Sequence, residues 1–172
     1  MTKDKIVEWI KDYATKYDKT SLVVGVSGGI DSSVVSALCA ETGLTTIPVI
    51  LSINMDGNNG TSNQSKEDLL AHEQMSWLED NYTNCEGMVM NMNNIFRRFM
   101  VFANQLGANS ELGFVNSRSR MRMAMLYQIA QSNNGLVIGT GNKVEDFGVG
   151  FFTKWGDGGV DISPIGDLYK SE

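Results

Sequence analysis

The chain has 172 residues, of which 42% are hydrophobic, and its formal net charge is −6 with a pI near 4.8. This size fits one domain with a sizeable core, and the acidic balance argues against a nucleic-acid partner because phosphate backbones bind basic surfaces. Two cysteines, Cys39 and Cys85, are too few for a disulfide framework and favour a reducing, cytoplasmic setting. The first residues lack the apolar core of a signal peptide, and no apolar run approaches the roughly 20 residues of a membrane span, so we expect no membrane partner.

Short apolar runs alternate with helical patterns along the chain. β-branched residues at 21–26 and 45–53 favour strands, and Pro48 suggests that the second strand is an edge strand or has an irregular entry. The predicted elements are a helix over 6–17, a strand over 21–26, a helix over 32–42, a strand over 45–53, a polar loop over 56–65, a helix over 65–80, a weak strand over 87–91, a helix over 95–105, an exposed connection over 107–113, a helix over 117–132 and a strand over 136–139.

This alternation predicts an α/β fold, a doubly wound parallel sheet with helices on both faces. Ligands bind such sheets at the carboxyl ends of the strands. The polar stretches 25–32 and 139–142 each follow a predicted strand, so we expect them to converge at one edge of the sheet.

The stretch "GVSGGIDSS" has the chemistry of an anion cradle. Gly28 and Gly29 allow positive φ and close backbone approach to a ligand, and Asp31 stands where a helix begins with free N–H groups beside it. The hydroxyls of Ser27 and Ser32 can add donors, and Asp31 can hold a divalent cation that bridges phosphate oxygens. Two adjacent glycines alone more often mark an ordinary turn, here capped by Asp31. The stretch matches neither the Walker loop nor the GxGxxG dinucleotide fingerprint.

The pattern Ser-Gly-Gly-x-Asp-Ser after a strand resembles the pyrophosphate-binding loop of the ATP pyrophosphatases. Three later motifs, "NSRSRMRMAMLYQIA", "LVIGTGNKVED" and "GFFTKWGDGGVDISPIGDLYKSE", resemble the successive signatures of the NAD synthetase family. That resemblance implies a Rossmann-like fold and the ATP-dependent amidation of nicotinic acid adenine dinucleotide (deamido-NAD) to NAD. The reaction would pass through an adenylated intermediate, use ammonia and release AMP and pyrophosphate.

The resemblance also assigns site residues. Each has an ordinary alternative, such as a solvated carboxylate in a first helical turn, a turn hydroxyl or a surface lysine. The implied catalytic residues are Asp31 and Lys170; the implied magnesium ligands are Asp31 and Glu145; the ATP-binding residues are Gly25, Val26, Ser27, Gly28, Gly29, Ile30, Asp31, Ser32, Thr140 and Lys170; and the deamido-NAD-binding residues are Arg120, Lys154 and Asp161.

Helical spacing separates the arginines of the 117–132 helix. Arg118 and Arg122 share a face, while Arg120 lies roughly opposite, so one side is interpreted as site and the other as surface or partner contact. The aromatic residues Phe151, Phe152 and Trp155 could stack on a base or nicotinate ring, but we expect at least two of them to pack in the core.

The family resemblance carries expectations about assembly and length. It implies a homodimer through the 117–132 helix, and it implies a single domain that is incomplete at its C-terminal end, because family members continue past "LYKSE". We expect an ammonia-dependent form, since no glutaminase domain precedes the motifs. Two alternatives stay open: an inactive nucleotide-binding fragment or homologue, and another ATP-pyrophosphatase amidotransferase, against which the "TKWGDGGVD" run weighs.

Overall fold

A computed structural model describes residues 2–53 and 66–172 of the chain. The predicted polar loop at 56–65 and the start of the helix at Ser65 lie outside the described residues. The elements are α1 (Lys3–Lys16), β1 (Ser21–Gly25), α2 (Ile30–Glu41), β2 (Thr45–Ser52), α3 (Lys66–Asn81), β3 (Met88–Asn91), α4 (Asn93–Gln105), α5 (Glu111–Ser132), β4 (Gly135–Ile138) and a π-helical turn (Val144–Val149).

The four strands form one parallel sheet in the order β3-β2-β1-β4. The chain first builds outward from β1 through β2 to β3 and then returns to the other side of β1, where Val24 pairs with Ile138 of β4. The predicted parallel sheet is therefore confirmed. Such a reversal of strand order is where ligands bind in open α/β sheets, because the loops after the two strands diverge and leave a crevice.

Helices cover both faces of the sheet, as the alternation predicted. Side chains alternate across a strand, so Leu22 and Val24 face one way and Val23 faces the other. Leu22 and Val24 pack in a buried cluster with residues of α1 and α2, whereas Val23 packs in a second cluster with Phe96 of α4 and Leu126 of α5. The core thus lies in two layers, one on each side of β1.

The position of β2 corrects one part of the sequence interpretation. Pro48 does not mark an edge, because β2 lies between β1 and β3. Its missing N–H is tolerated because Pro48 falls between the bridge of Thr46 with Cys85 and the regular ladder with β3, which begins at Val49. The other sequence interpretation, an irregular start of the strand, applies to its pairing with β3, which is regular only from Val49.

Helix α5 begins earlier than predicted. Residues 111–113, expected in an exposed connection, form its first turn. The side chain of Ser110 caps this turn by accepting a hydrogen bond from the Gly113 backbone N–H at 3.2 Å. The serine cap therefore starts the helix inside the segment that was expected to be a connection.

Two glycines with positive φ make a matched test of the turn after β1. Gly28 (φ 81°) and Gly43 (φ 76°) both carry a left-handed backbone, but a Cβ on Gly28 would collide with the Glu67 carbonyl of α3, whereas a Cβ on Gly43 would meet nothing within 4 Å. We expect Gly43→Ala to lower the free energy of unfolding by about 1–2 kcal/mol from backbone strain alone. We expect Gly28→Ala to cost about 1–3 kcal/mol more because α3 must shift. Urea denaturation of both variants measures the difference, and equal losses would mean that the turn does not pack on α3.

Candidate functional site

The loop between β1 and α2 is held by hydrogen bonds among its own residues. The hydroxyl of Ser32, which is buried, donates to the Gly29 carbonyl at 2.9 Å and accepts from the Ser27 backbone N–H at 3.2 Å. The Ser27 hydroxyl lies 3.1 Å from that of Ser32 and accepts from the Gly29 N–H at 3.3 Å. Both hydroxyls, expected as donors to a ligand, are engaged within the loop and fix its shape.

Helix α2 starts directly after this loop. Its N-cap is Gly29, which has no side chain to cap the helix, and Asp31 lies in the first turn. The turn therefore does not match the simple interpretation in which Asp31 caps the helix. The first N–H groups of a helix have no intrahelical partner, and they carry a partial positive charge that favours a bound anion.

Asn142 joins this loop to the segment after β4. Its side chain is 1% exposed. Its Oδ1 accepts from the backbone N–H groups of Val144 and Glu145 at 3.0 and 3.1 Å, and its Nδ2 donates to Asp31 Oδ2 at 3.4 Å. The two polar stretches that follow β1 and β4 therefore converge, as expected from their positions. Sequence reasoning did not single out Asn142, although Asn142 followed three residues later by Glu145 is the signature of a capping box.

Asp31, Glu145 and Lys170 form one charge cluster at this edge of the sheet. The Lys170 ammonium lies 3.1 Å from Asp31 Oδ2 and 3.2 Å from Glu145 Oε1. The hydrogen bonds that the ammonium donates to these two carboxylates, to Asp31 first, raise the pKa of Lys170 and favour its charged form. The structure thus brings together both implied metal ligands and the implied phosphate-binding lysine.

A further carboxylate, Asp146, lies beside this cluster. Burial, the neighbouring charge of Glu145 and that of Asp157 raise the pKa of its carboxyl. Gly141 packs directly against it, and a Cβ at position 141 would require the Asp146 carboxylate to move. The second glycine of "GTGN" therefore leaves room for this carboxylate of the π-helical turn.

Two cavities open at the carboxyl ends of the strands. The larger, of about 510 Å³, extends from Gly25 and Leu51 to Arg122, and the smaller, of about 240 Å³, contains Asp31 and Glu145. Both are lined by Ser27, Thr140 and Asp157. An elongated ligand could therefore lie with an apolar part in the larger cavity and an anionic part against the loop.

The segment 153–157 is tied to α5 by side-chain hydrogen bonds. The Ser119 hydroxyl donates to Asp157 Oδ1 at 2.6 Å and accepts from the Asp157 N–H at 2.9 Å. Arg120 Nε donates to the Lys154 carbonyl at 3.1 Å. Arg120 and the backbone of Lys154, two of the implied deamido-NAD residues, therefore lie together, and neither residue lines the larger cavity.

Asp161, the third implied deamido-NAD residue, is engaged with β4 and α5. Its Oδ2 accepts from the Val137 backbone N–H at 2.8 Å, and its Oδ1 accepts from the Tyr127 hydroxyl at 3.1 Å. Partial burial and the Asp161 carboxylate raise the pKa of Tyr127 to about 12. A ligand that contacts Asp161 must share an oxygen already in use.

Two side-chain interpretations from the sequence are wrong. Phe151, Phe152 and Trp155 are all exposed, so the expected core packing of at least two of them does not occur. Arg122, placed on the surface or partner side of α5, lines the larger cavity, where its Nε donates to the Leu51 carbonyl at 2.8 Å. Burial lowers the pKa of this guanidinium. The helical wheel separates faces correctly but does not say which face meets the cavity.

Comparison with known proteins connects this site to a family. The sequence model of the NAD synthase family matches residues 2–172 of this chain. The NH(3)-dependent NAD(+) synthetase of Archaeoglobus fulgidus is 36% identical over 98% of this chain and 63% of its own length, and that of Sulfolobus acidocaldarius is 39% identical over 97% and 55%. This chain thus spans somewhat more than half the length of these relatives.

Solved structures agree with the sequence matches. The NMN synthetase of Francisella tularensis superposes with a TM-score of 0.84 at 34% identity, covering 98% of this chain and 65% of that one. The NH3-dependent NAD synthetase of Campylobacter jejuni superposes with a TM-score of 0.83 at 29% identity, covering 99% and 68%. Together with the loop after β1 and the charge cluster beside it, these matches establish that the chain belongs to the NAD synthase family.

Proposed function

We propose that this chain converts deamido-NAD to NAD by ATP-dependent amidation, with ammonia as nitrogen donor and AMP and pyrophosphate as the other products. Family membership supports the reaction, and the relatives named NH(3)-dependent NAD(+) synthetase support the donor. The observation that carries the proposal is the meeting of the loop after β1 with Asp31 and Glu145 in one cavity, beside a larger one of about 510 Å³.

ATP is assigned to the two cavities. The loop and the start of α2 would hold the phosphates through backbone N–H groups, with Thr140 and Lys170 reaching the same group. The residues in this assignment are Gly25, Val26, Ser27, Gly28, Gly29, Ile30, Asp31, Ser32, Thr140 and Lys170. The larger cavity, whose wall includes Arg122 and Leu126, is assigned to the adenosine part.

Asp31 and Glu145 are the residues that would hold Mg²⁺. They fit a cation, because one positively charged atom, Lys170 Nζ, already contacts an oxygen of each at 3.1 and 3.2 Å. In the described part of the chain no cluster of three or more His, Cys, Asp or Glu residues could hold a metal ion. Two carboxylates are sufficient for Mg²⁺, which usually takes its other ligands from water and substrate phosphates. When bound, the ion would neutralise phosphate charge during attack.

The chemistry needs positioning and charge neutralisation and no covalent enzyme intermediate. The nicotinate carboxylate oxygen attacks the α-phosphorus of ATP, and the bond to the β-phosphate oxygen breaks with release of pyrophosphate. Ammonia then attacks the carbonyl carbon of the adenylate, AMP leaves, and the nitrogen loses a proton to solvent or a nearby carboxylate. An anion attacking a polyanion meets repulsion, which the loop N–H groups and the Lys170 ammonium reduce.

The dinucleotide is assigned to the outer side of the cavity wall. Arg120 and Lys154 lie together there through the 3.1 Å hydrogen bond between Arg120 Nε and the Lys154 carbonyl. The Arg120 guanidinium contacts the backbone of Lys154, and the Lys154 ammonium lies over the Trp155 ring at 5.4 Å. Both cations are assigned to the pyrophosphate of the dinucleotide. Asp161 completes the proposed set, and the exposed rings of Phe151 and Trp155 are available for stacking.

A second candidate substrate comes from one relative. The Francisella tularensis protein is named an NMN synthetase, and that name indicates a mononucleotide as its product. Its identity of 34% is close to that of the dinucleotide enzymes. Nicotinic acid mononucleotide is therefore the competing substrate to include in any assay.

A homodimer is also proposed, and the exposed surface of α4 supports it. Phe96, on one side of α4, is buried against the sheet. A second apolar stripe, at helical spacing, is exposed, and Leu106 reaches 85% exposure. Apolar patches of this kind mark interfaces. The stripe consists of Ile95, Phe99, Phe102 and Leu106, and Leu112 and Val115 of α5 are exposed as well.

The proposed interface includes the 117–132 helix but is centred nearer its start. Within 117–132 the exposed large apolar side chain is that of Tyr127, whereas Leu112 and Val115 lie in the turns before it. The dimer surface is therefore assigned to α4 together with α5.

The cytoplasmic location is likewise a proposal. Cys39 and Cys85 are free, buried thiols, which suits a reducing compartment. Over residues 2–53 and 66–172, no helix has both the length and the apolar composition needed to cross a membrane.

The proposed reaction is tested by product analysis. ATP, ammonium, Mg²⁺ and deamido-NAD should give NAD and AMP in equal amounts by liquid chromatography with mass detection. We expect Asp31→Asn to lower kcat by roughly 100-fold or more, because one of the two carboxylates assigned to Mg²⁺ loses its charge and the charge on the phosphates is then less well neutralised.

The controls separate the alternatives. Asp12→Asn, a change at an exposed carboxylate of α1, should leave the rate unchanged. A parallel reaction with nicotinic acid mononucleotide decides between the two substrates. If neither NAD nor the mononucleotide amide forms, the proposed enzyme activity is contradicted. Nucleotide binding without turnover would then support the inactive-homologue alternative.

Arg120 and Arg122 should affect different substrates. Arg122 lines the larger cavity, so Arg122→Ala is expected to raise the KM for ATP about tenfold through loss of a charged hydrogen-bond donor. Arg120→Ala is expected to raise the KM for the dinucleotide more than that for ATP. Steady-state kinetics with each substrate varied in turn measures both, and equal effects of either variant on the two substrates would refute the assignment.

The α4 stripe is tested by the mass of the protein in solution. We expect sedimentation equilibrium to give a dimer for the wild type and a monomer for Phe102→Glu, because a charge would be buried in an apolar interface. Leu69→Glu, at an exposed leucine of α3, should remain a dimer. A dimeric Phe102→Glu variant, or a monomeric wild type, would show that the interface is not here.

A further inference from the structure

The Lys170 ammonium lies between the two carboxylates assigned to the metal. Its Nζ is 3.1 Å from Asp31 Oδ2 and 3.2 Å from Glu145 Oε1. Asp31 is the more enclosed of the two, with its side chain 19% exposed, against 36% for Glu145. One cation thus bridges two anions that would otherwise repel each other at the edge of the sheet.

A divalent ion held by these same oxygens would need the space that the ammonium occupies. An ion in contact with Asp31 Oδ2 and Glu145 Oε1 lies between them, and that is where the Lys170 Nζ is. The two cations also repel each other, so both cannot occupy the position together.

The Lys170 side chain has room to move away from the two carboxylates. Its side chain is 55% exposed, and its four-carbon stem is flexible. The backbone before it is fixed, because the Leu168 carbonyl accepts a hydrogen bond from the Lys143 N–H at 2.9 Å. The ammonium can therefore move while its attachment point stays in place.

We propose that Lys170 is the resident counter-ion of the Asp31 and Glu145 pair and competes directly with the divalent cation for it. This inference rests on the proposed function, in which the pair holds Mg²⁺. In the protein without nucleotide, metal binding costs the two ion pairs of Lys170. Removing the ammonium should therefore strengthen metal binding.

The test measures Mn²⁺ binding in the absence of nucleotide, from the electron paramagnetic resonance signal of the free ion. We expect Lys170→Met to tighten Mn²⁺ binding about fivefold over the wild type, the amount expected from two partly exposed ion pairs. Lys170→Arg, which keeps the charge, should stay within about twofold of the wild type. Asp31→Asn in the Lys170→Met background should remove the gain.

Lys143→Met is the matched control for general electrostatics. Lys143 precedes the π-helical turn, and its ammonium lies over the Tyr169 ring at 4.8 Å. It should leave Mn²⁺ binding unchanged. An equal gain in Lys143→Met and Lys170→Met would overturn direct competition, as would no gain, or no Mn²⁺ binding, in Lys170→Met. The amide assay on the wild type is independent: turnover there with no gain in Lys170→Met refutes only the competition.

Discussion

The site depends on one constraint, that two carboxylates from distant parts of the chain must lie at the same point without repelling each other. The strand order brings them there, because β1 and β4 are neighbours and the loops that follow them leave the same edge of the sheet. Asn142 fixes their spacing by donating to Asp31 and accepting from the backbone of Glu145. A cation then has to balance the charge, and Lys170 supplies it. The space between the two carboxylates therefore favours a cation even when no ligand is bound.

Polar groups inside the loop after β1 fix the shape of this part of the site through hydrogen bonds to one another. Ser27 and Ser32 bond to each other and to loop backbone, so their hydroxyls stabilise the shape of the cradle. Gly28 lets the loop pack directly on the backbone of α3. A loop held this way does not need to reorganise when an anion binds, which is the condition under which fixed dipoles contribute most to catalysis. The backbone N–H groups of Ser27 and Gly29 are also engaged within the loop, so the start of α2 offers the N–H groups for the proposed ligand contact.

Periodicity and turn chemistry were sufficient to predict the sheet, the helices on both of its faces and the convergence of the two polar stretches, because those signals are local and repeat along the chain. Pairings between distant residues leave no such signal. The hydrogen bond of Ser119 with Asp157 joins residues 38 apart, and nothing near either one indicates it. The orientation of α5 is of the same kind, since its spacing separated Arg120 from Arg122 but only packing decides which one lines the cavity. Phe151 and Phe152 are exposed because the segment after the π-helical turn runs over the surface, where hydrophobicity alone predicts burial wrongly.

The competition proposed for Lys170 also explains how this lysine can contact the Asp31 and Glu145 carboxylates in the free protein and the ATP phosphates in the complex. A lysine that neutralises carboxylates in the free protein has no free energy to gain by moving unless a new anion replaces them. A triphosphate in the cradle is such an anion, and it would lie in the cavity that contains Asp31 and Glu145. Its oxygens could take the ammonium while the carboxylates take the metal, so that every charge is paired before and after binding. On this argument metal alone binds weakly, metal with nucleotide binds well, and the pair is not left with an unbalanced charge in either state.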